Sequence, residues 1–180
     1  MNHMQEWLSR LLDSAHTRGV QPQDFLLVVD VSSQQAHLFL GGRHLADYPV
    51  STSRHGVGSI PDSLATPPGW HRVAARHGLD EPVGRVFRSR EPQPECFPFP
   101  GAEEQDLVLS RILHLEGLEP GRNATSFDRY IYIHGTNRED LLGQPASHGC
   151  VRMANRAVVE VFNLTLRHEM FCWIGTPADV

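Results

Sequence analysis

The sequence predicts a mainly β domain of the α+β class, in which short helices flank a β-sheet. Apolar runs of strand length recur along most of the chain, separated by glycine, proline and polar residues, as is typical of strands joined by turns. Helical spacing of apolar residues is confined to the amino terminus and to the stretch that follows Asn155. With 180 residues, the chain is long enough for one domain with a substantial core.

The first predicted element is a short amphipathic helix within residues 1–20. Met4, Leu8, Leu11 and Leu12 recur there at helical spacing, which would place them on one face. The β-sheet domain is then expected over residues 25–175.

Strands are predicted wherever an apolar or alternating run lies between turn residues. The Gly41-Gly42 pair separates two of these runs and predicts a hairpin. A helix is expected over residues 157–164, with Asn155 as its N-cap. The predicted strands are residues 25–29, 35–40, 45–50, 70–74, 106–110, 112–115, 130–134 and 171–174.

Residues 78–101 interrupt this pattern with many prolines. Because proline cannot donate a hydrogen bond to a sheet, we expect a loop or excursion there rather than a central strand. Long irregular segments inside a compact domain are usually functional, so this one is a candidate lid or substrate wall. The prolines are Pro82, Pro92, Pro94, Pro98 and Pro100.

Composition narrows the function classes. The formal net charge of −5 argues against nucleic-acid binding, which needs a basic excess. The sequence offers neither a signal-peptide pattern nor a bilayer-spanning apolar run, so we expect no membrane association. A cytoplasmic protein is the expectation, and a periplasmic one is the alternative. The three cysteines show no spacing typical of a disulfide framework, which fits a reducing compartment.

The segment Ser147-His148-Gly149-Cys150-Val151-Arg152, which is expected to lie just before a helix, indicates a nucleophile. The thiolate is the reactive form of cysteine, and a nearby imidazole can take the thiol proton. Gly149 lets an acyl group approach the backbone closely, since it has no Cβ. A second His-Gly pair, His134-Gly135, lies upstream and supplies another candidate base.

Other interpretations of these residues stay open. A zinc site formed by His134, His148 and Cys150 would match a known catalytic ligand pattern, but no acidic base accompanies it, so no metal is expected. A non-catalytic peptide-binding module is a third possibility, against which the intact Cys150 and His134 argue. Cys172 lies in an apolar run and is expected in the core, whereas Cys96 is expected to be an incidental exposed thiol.

The segments Ile133-His134-Gly135-Thr136-Asn137 and Ala146–Met153 resemble the catalytic signature of the YkuD family of L,D-transpeptidases. Upstream, Tyr48–Ser53 and Thr66–Trp70 resemble that family's YPVSTG and TPxG segments. The likeness covers roughly residues 25–175.

The resemblance implies a role for each site residue. Cys150 would be the nucleophile and His134 the general base, oriented by the carbonyl of Gly135. The N–H groups of Gly149 and Cys150 would form the oxyanion hole. Ser147, His148, Arg152 and Tyr132 would contact substrate. Each of these residues also has a structural alternative. Ser147 could stabilise a turn, and His148 could form a local hydrogen bond. Arg152 could form a salt bridge, and Tyr132 could pack in the core.

The resemblance also implies the substrate. Family members attack the bond between a diamino acid and D-alanine in peptidoglycan stem tetrapeptides, without a cofactor, and acylation by carbapenems is expected. If water resolves the acyl-enzyme, the activity is that of an L,D-carboxypeptidase acting on muropeptides during recycling, which we favour. If an amine resolves the acyl-enzyme instead, the activity is that of an L,D-transpeptidase that forms 3-3 crosslinks in peptidoglycan.

Overall fold

The structure is a computed structural model that describes residues 3–180, with side chains from residue 6 onward. Residues 1 and 2 of the predicted first helix, and the side chain of Met4, lie outside the described part. Helix α1 spans His3–Thr17 and helix α2 spans Asn155–Leu164. The strands are β1 Phe25–Asp30, β2 Gln35–Leu40, β3 Arg43–Ser51, β4 Gly69–His77, β5 Arg85–Arg88, β6 Glu91–Cys96, β7 Val108–Gly117, β8 Tyr132–Gly135, β9 Val151–Met153 and β10 Met170–Gly175. Short 3₁₀ turns lie at Ala102–Glu104, Glu139–Leu141 and Pro177–Asp179.

The ten strands form one sheet that closes on itself. Along the sheet the order is β4-β10-β1-β2-β3-β9-β8-β7-β5-β6, and β4 also pairs with β7. Eight strands therefore complete a circuit, and β5 and β6 extend the sheet beyond it. Closure removes exposed strand edges from the circuit.

Two apolar clusters lie on the two faces of β1, all six of whose residues are buried. Phe25, Leu27 and Val29 pack with the apolar face of α2 in the main core. Leu26 and Val28 point the other way, into a second cluster that includes Trp7 of α1. Strand alternation explains why one continuous apolar run serves both layers.

The predicted fold class, mainly β with flanking helices, is confirmed. No helix within residues 3–180 combines the length and the apolar character that crossing a bilayer requires.

Four local features differ from the sequence-based expectation. Residues 108–110 of one predicted strand and residues 112–115 of the next belong to a single strand, β7, with an irregular register where Ser110 has a φ of 69°. Residues 78–101 contain the hairpin β5–β6, whose prolines lie on β6 at the sheet edge, where a missing N–H is tolerated. Tyr130 precedes β8 with a φ of 56° instead of belonging to the strand. Cys150 is followed by strand β9 rather than directly by a helix.

Candidate active site

The parallel pair β8–β9 positions the candidate nucleophile and base. Its register pairs Ile133 with Val151 and His134 with Arg152. Ile133 and Val151 point into the main core, so His134 and Arg152 lie on the opposite face. Cys150, one residue before Val151, shares that face with them. Nucleophile and base are thus two register positions apart on the same face, with the pair Ile133–Val151 between them, and standard strand spacings give a Cα separation of roughly 8 Å.

Backbone groups surround the Cys150 sulfur. The N–H of Tyr132 donates to Sγ at 3.3 Å, and the thiol donates to the carbonyl of Tyr130 at 3.4 Å. Burial raises the pKa of Cys150 to about 11, and the Asp106 carboxylate adds to this rise. The Tyr132 N–H and the guanidinium groups of Arg152 and Arg129 act in the opposite direction. The thiol is therefore protonated at neutral pH in the resting protein.

His134 has the tautomer that a general base needs. Its Nδ1 lies 2.7 Å from the carbonyl oxygen of Gly135, which can only accept, so Nδ1 carries the proton and Nε2 keeps its lone pair. Burial lowers the pKa of His134 to about 4, so the ring is neutral at pH 7. Within residues 3–180 no hydrogen bond joins His134 to Cys150, and proton transfer between them requires a rotation of the thiol.

Gly135 permits this arrangement through close packing rather than through an unusual backbone angle. A Cβ at Gly135 would overlap Oδ1 of Asn155 and would lie 2.7 Å from the carbonyl oxygen of Leu109. Asn155 was expected to cap α2, but it is the first residue of the helix. Its side chain accepts from Ser110 at 2.7 Å and donates to the carbonyl of Thr136 at 2.7 Å. This amide ties β7 and the end of β8 to the start of α2.

The turn before Cys150 is held by two hydroxyl groups. Ser147 donates to the carbonyl of Cys150 at 2.5 Å, and Thr66 donates to the carbonyl of Gly149 at 2.9 Å. Gly149 has a φ of 128°, which favours glycine. Ser147 is buried and its hydroxyl stabilises the turn, whereas its contact with substrate stays a prediction.

The expected oxyanion donors differ in availability. The Gly149 N–H already donates to Ser147 Oγ, at a long 3.3 Å. The Cys150 N–H has no hydrogen-bond partner in the described part of the chain. Cys150 therefore offers the free donor, and Gly149 offers one that is weakly engaged.

Asp106 is a site residue that the sequence analysis did not identify. Its Oδ2 accepts from Arg152 Nη2 at 2.7 Å and from His148 Nδ1 at 2.8 Å. Burial opposes ionisation of this carboxyl, but the charge of Arg152 and the His148 hydrogen bond hold its pKa below the usual range. The Arg152 side chain is only 4% exposed and forms this salt bridge, so it does not present a free guanidinium to a substrate carboxylate. The salt bridge that was the structural alternative for Arg152 is therefore present, and its contact with substrate stays a prediction.

The hairpin β5–β6 forms one wall of the site. Arg90, in its turn, donates to the Tyr132 hydroxyl at 3.2 Å and lies 4.7 Å from the centre of the Tyr130 ring. Tyr132 is largely buried, and burial raises the pKa of its hydroxyl. Tyr132 thus contributes its N–H to the sulfur and its ring to the wall.

Two clefts share His148, which lies two residues before Cys150 in the chain. The larger, of about 420 Å³, is lined by residues that include Asp62, Arg129 and Tyr130. The smaller, of about 240 Å³, is lined by residues that include Arg54, Asp106 and Arg152. Arg54 and Arg129 form no ion pair within residues 3–180, so each cleft has a guanidinium without a carboxylate partner.

The remaining cysteines lie apart from this chemistry. Cys172 is buried, and burial raises the pKa of its thiol, whereas Cys96 is exposed. Donor atoms of His134, His148 and Cys150 do not converge as a metal site would require.

Comparisons with known proteins agree with the geometry. The model of the YkuD family, described as the L,D-transpeptidase catalytic domain, matches residues 24–180. A stretch of 43 residues is 51% identical to YqjB of Bacillus subtilis strain 168, whose name assigns it provisionally to the L,D-transpeptidases. That match covers 23% of this chain and 24% of YqjB.

Solved structures show the same fold. An L,D-transpeptidase from Xylanimonas cellulosilytica superposes with a TM-score of 0.53 and 16% identity, over 90% of this chain and 68% of that one. An L,D-transpeptidase from Mycobacterium smegmatis superposes with a TM-score of 0.52 and 13% identity, over 84% of this chain and 58% of that one. L,D-transpeptidase 3 from Mycobacterium tuberculosis was solved with a faropenem-derived adduct. It superposes with a TM-score of 0.51 and 13% identity, over 84% of this chain and 60% of that one. The chain thus spans less than two thirds of the length of several of these relatives.

Proposed function

The chain belongs to the YkuD family of L,D-transpeptidase catalytic domains, and from this membership we propose that Cys150 attacks the bond between the diamino acid and D-alanine of a peptidoglycan stem tetrapeptide. The observation that supports this most strongly is the shared face of β8 and β9. It carries a thiol that accepts a backbone N–H and a histidine of base-competent tautomer. Nucleophile and base of this kind are the parts that covalent acyl transfer requires.

The first step is attack by sulfur. Cys150 and His134 are both neutral at rest, so the thiol proton moves to Nε2 of His134 as the sulfur–carbon bond forms. The Tyr132 N–H and the charge of Arg152 stabilise the negative charge that passes through sulfur. The carbonyl oxygen becomes an oxyanion that accepts from the Cys150 N–H, with Gly149 as the second donor.

Collapse of this intermediate breaks the carbon–nitrogen bond. His134 returns its proton to the departing amine, and D-alanine leaves a thioester between the diamino acid and Cys150. An incoming nucleophile then gives its proton to His134 and attacks the thioester from the side that D-alanine vacated. The sulfur leaves as it takes the proton back, so the resting enzyme is restored.

The two clefts suggest how the substrate lies. His134 neighbours Arg152 and Asp106, which line the smaller cleft, so the leaving D-alanine belongs there. Its carboxylate would pair with Arg54, since Arg152 is engaged by Asp106 and Arg138 by Asp140. The peptide stem would occupy the larger cleft, where Arg129 can pair with one of its carboxylates.

We favour water as the nucleophile that resolves the thioester. The smaller cleft, at about 240 Å³, is below the usual range of about 300–1,000 Å³ for ligand pockets. It suits D-alanine or water better than a second stem peptide. The proposed activity is therefore that of an L,D-carboxypeptidase, whose natural substrates would be free muropeptides. The alternative, 3-3 crosslinking, is favoured by the presence of two clefts on the two sides of His148.

Product analysis separates these activities. Purified protein is incubated with a disaccharide-tetrapeptide, and the products are weighed by mass spectrometry. Tripeptide and free D-alanine are expected, and Cys150→Ala should yield neither. A crosslinked dimer would replace the carboxypeptidase proposal with the crosslinking one. Substrate binding without turnover by folded protein would indicate a binding module and refute both.

A further inference from the structure

A second cluster of ligating side chains lies on the hairpin β2–β3 and shares no residue with the candidate active site. His37 Nδ1 is 2.6 Å from Oδ1 of Asp47, and His44 Nε2 is 2.7 Å from the same oxygen. The three donor atoms all lie within 4.8 Å of one another. Among the side chains of residues 6–180, this is the only group of three or more His, Cys, Asp or Glu residues that converges in this way.

A β-bulge builds the cluster. His37 and Asp47 are directly paired across the two strands and therefore share a face. His44 is three residues from Asp47, so in a regular strand it would point to the opposite face. The register shifts so that Leu38 pairs with Ala46 while Phe39 pairs with His44. The extra residue, Leu45, returns His44 to the face of Asp47.

The burial of the three side chains suits a surface site with one fixed ligand. The side chain of His37 is 13% exposed, whereas those of His44 and Asp47 are 49% and 52% exposed.

We propose that His37, His44 and Asp47 bind a divalent transition metal, for which Zn²⁺ is the natural probe. Two imidazoles and one carboxylate are ligands that zinc uses at three-residue sites, with a fourth position left for water. Ligand atoms around tetrahedral zinc lie about 3.3 Å apart, so the present contacts must open by about 0.6 Å. The exposed side chains of His44 and Asp47 can make that movement. On binding, His37 Nδ1 and His44 Nε2 release the protons that they donate to Asp47, and each neutral ring then carries its proton on the nitrogen that faces away from the metal.

The position of the hairpin gives the metal a structural role. Strand β3 carries two of the ligands and also pairs with β9, with Ser51 opposite Arg152. A metal that ties β2 to β3 therefore stabilises the strand beside the catalytic face. Because the ligands belong to the folded hairpin, binding should raise the thermal stability of the chain.

The test is a zinc titration of the metal-free full chain, carrying Cys150→Ser so that the active-site thiol cannot bind the ion. We expect one equivalent of zinc by calorimetry, with a Kd on the order of micromolar or tighter. At a hundredfold excess over Kd, the Tm should rise by about 5–10 °C. His44→Ala and Asp47→Asn should each weaken binding at least about tenfold, since three ligands become two. Co²⁺ in place of zinc should give the absorption bands of a tetrahedral site.

His16→Ala is the matched control, because His16 is an exposed histidine on α1 that does not belong to the cluster. This variant should bind zinc as the parent does. The proposal is overturned if the parent binds no zinc at about 100 μM, which would leave a hydrogen-bonded trio only. It is equally overturned if His44→Ala and Asp47→Asn bind as tightly as His16→Ala.

Discussion

Asp106 is the residue whose replacement tests the electrostatics of the site most sharply. In Asp106→Asn, Arg152 loses its carboxylate partner while remaining 4% exposed. Breaking a fully buried ion pair costs about 3–5 kcal/mol, and an exposed pair contributes about 0–1 kcal/mol. Because the Asp106 side chain is 42% exposed, we expect a loss of about 2 kcal/mol. For a chain of this size, that loss corresponds to a Tm lower by about 4–8 °C.

The same substitution should change the thiol. The Asp106 charge raises the pKa of Cys150, so removing the charge should lower that pKa. The rate of alkylation by iodoacetamide, followed against pH in a Cys96→Ser background, should reach its midpoint at a lower pH. Asp140→Asn is the matched control, since Asp140 pairs with Arg138 at the surface and should leave both Tm and midpoint nearly unchanged. Equal Tm losses in the two variants, or a higher thiol midpoint in Asp106→Asn, would refute this reasoning.

Three further outcomes are expected. Gly135→Ala should lower the free energy of unfolding in urea by about 1–3 kcal/mol, because the added Cβ would overlap packed atoms. Gly58→Ala should lower it only slightly, and equal losses in the two variants would contradict the packing argument. Burial lowers the pKa of His71 and His134 to about 4, so the unfolded chain binds more protons between about pH 4 and 6.5. Stability should therefore fall as pH drops through that window, by up to about 3 kcal/mol for each histidine, and a flat Tm there would refute the assignment. Arg129→Gln should raise KM for a stem tetrapeptide about tenfold with a smaller change in kcat, and an unchanged KM would remove Arg129 from the substrate cleft.

Local patterns identified much of the fold and the signature of the site. Strands β1, β2 and β10 are short apolar runs between turn residues, and this pattern can be seen directly in the sequence. The prolines of residues 78–101 predict that no central strand lies there, and the structure has none: β6 is the edge strand of the sheet. They remain compatible with an edge hairpin, because β6 pairs only with β5. Prolines by themselves do not distinguish an irregular loop from an edge hairpin.

Pairing between distant strands decides what sequence patterns leave open. Asp106 and Arg152 meet because β7 and β9 both pair with β8, and no spacing in the chain indicates that contact. His44 and Asp47 are three residues apart, so alternation alone separates them, and only the bulge at Leu45 brings them together. In both cases the missing information is register, which depends on the whole sheet.

The central claim is that Cys150 forms a covalent acyl-enzyme, and intact-protein mass spectrometry with peptide mapping tests it most directly. After exposure to a carbapenem, the protein should gain the mass of one adduct, located on the peptide that contains Cys150. Cys96→Ser should acylate as the parent does, and Cys150→Ser should not acquire the thioester adduct. An unchanged mass in folded protein, or an adduct confined to Cys96, would contradict the account.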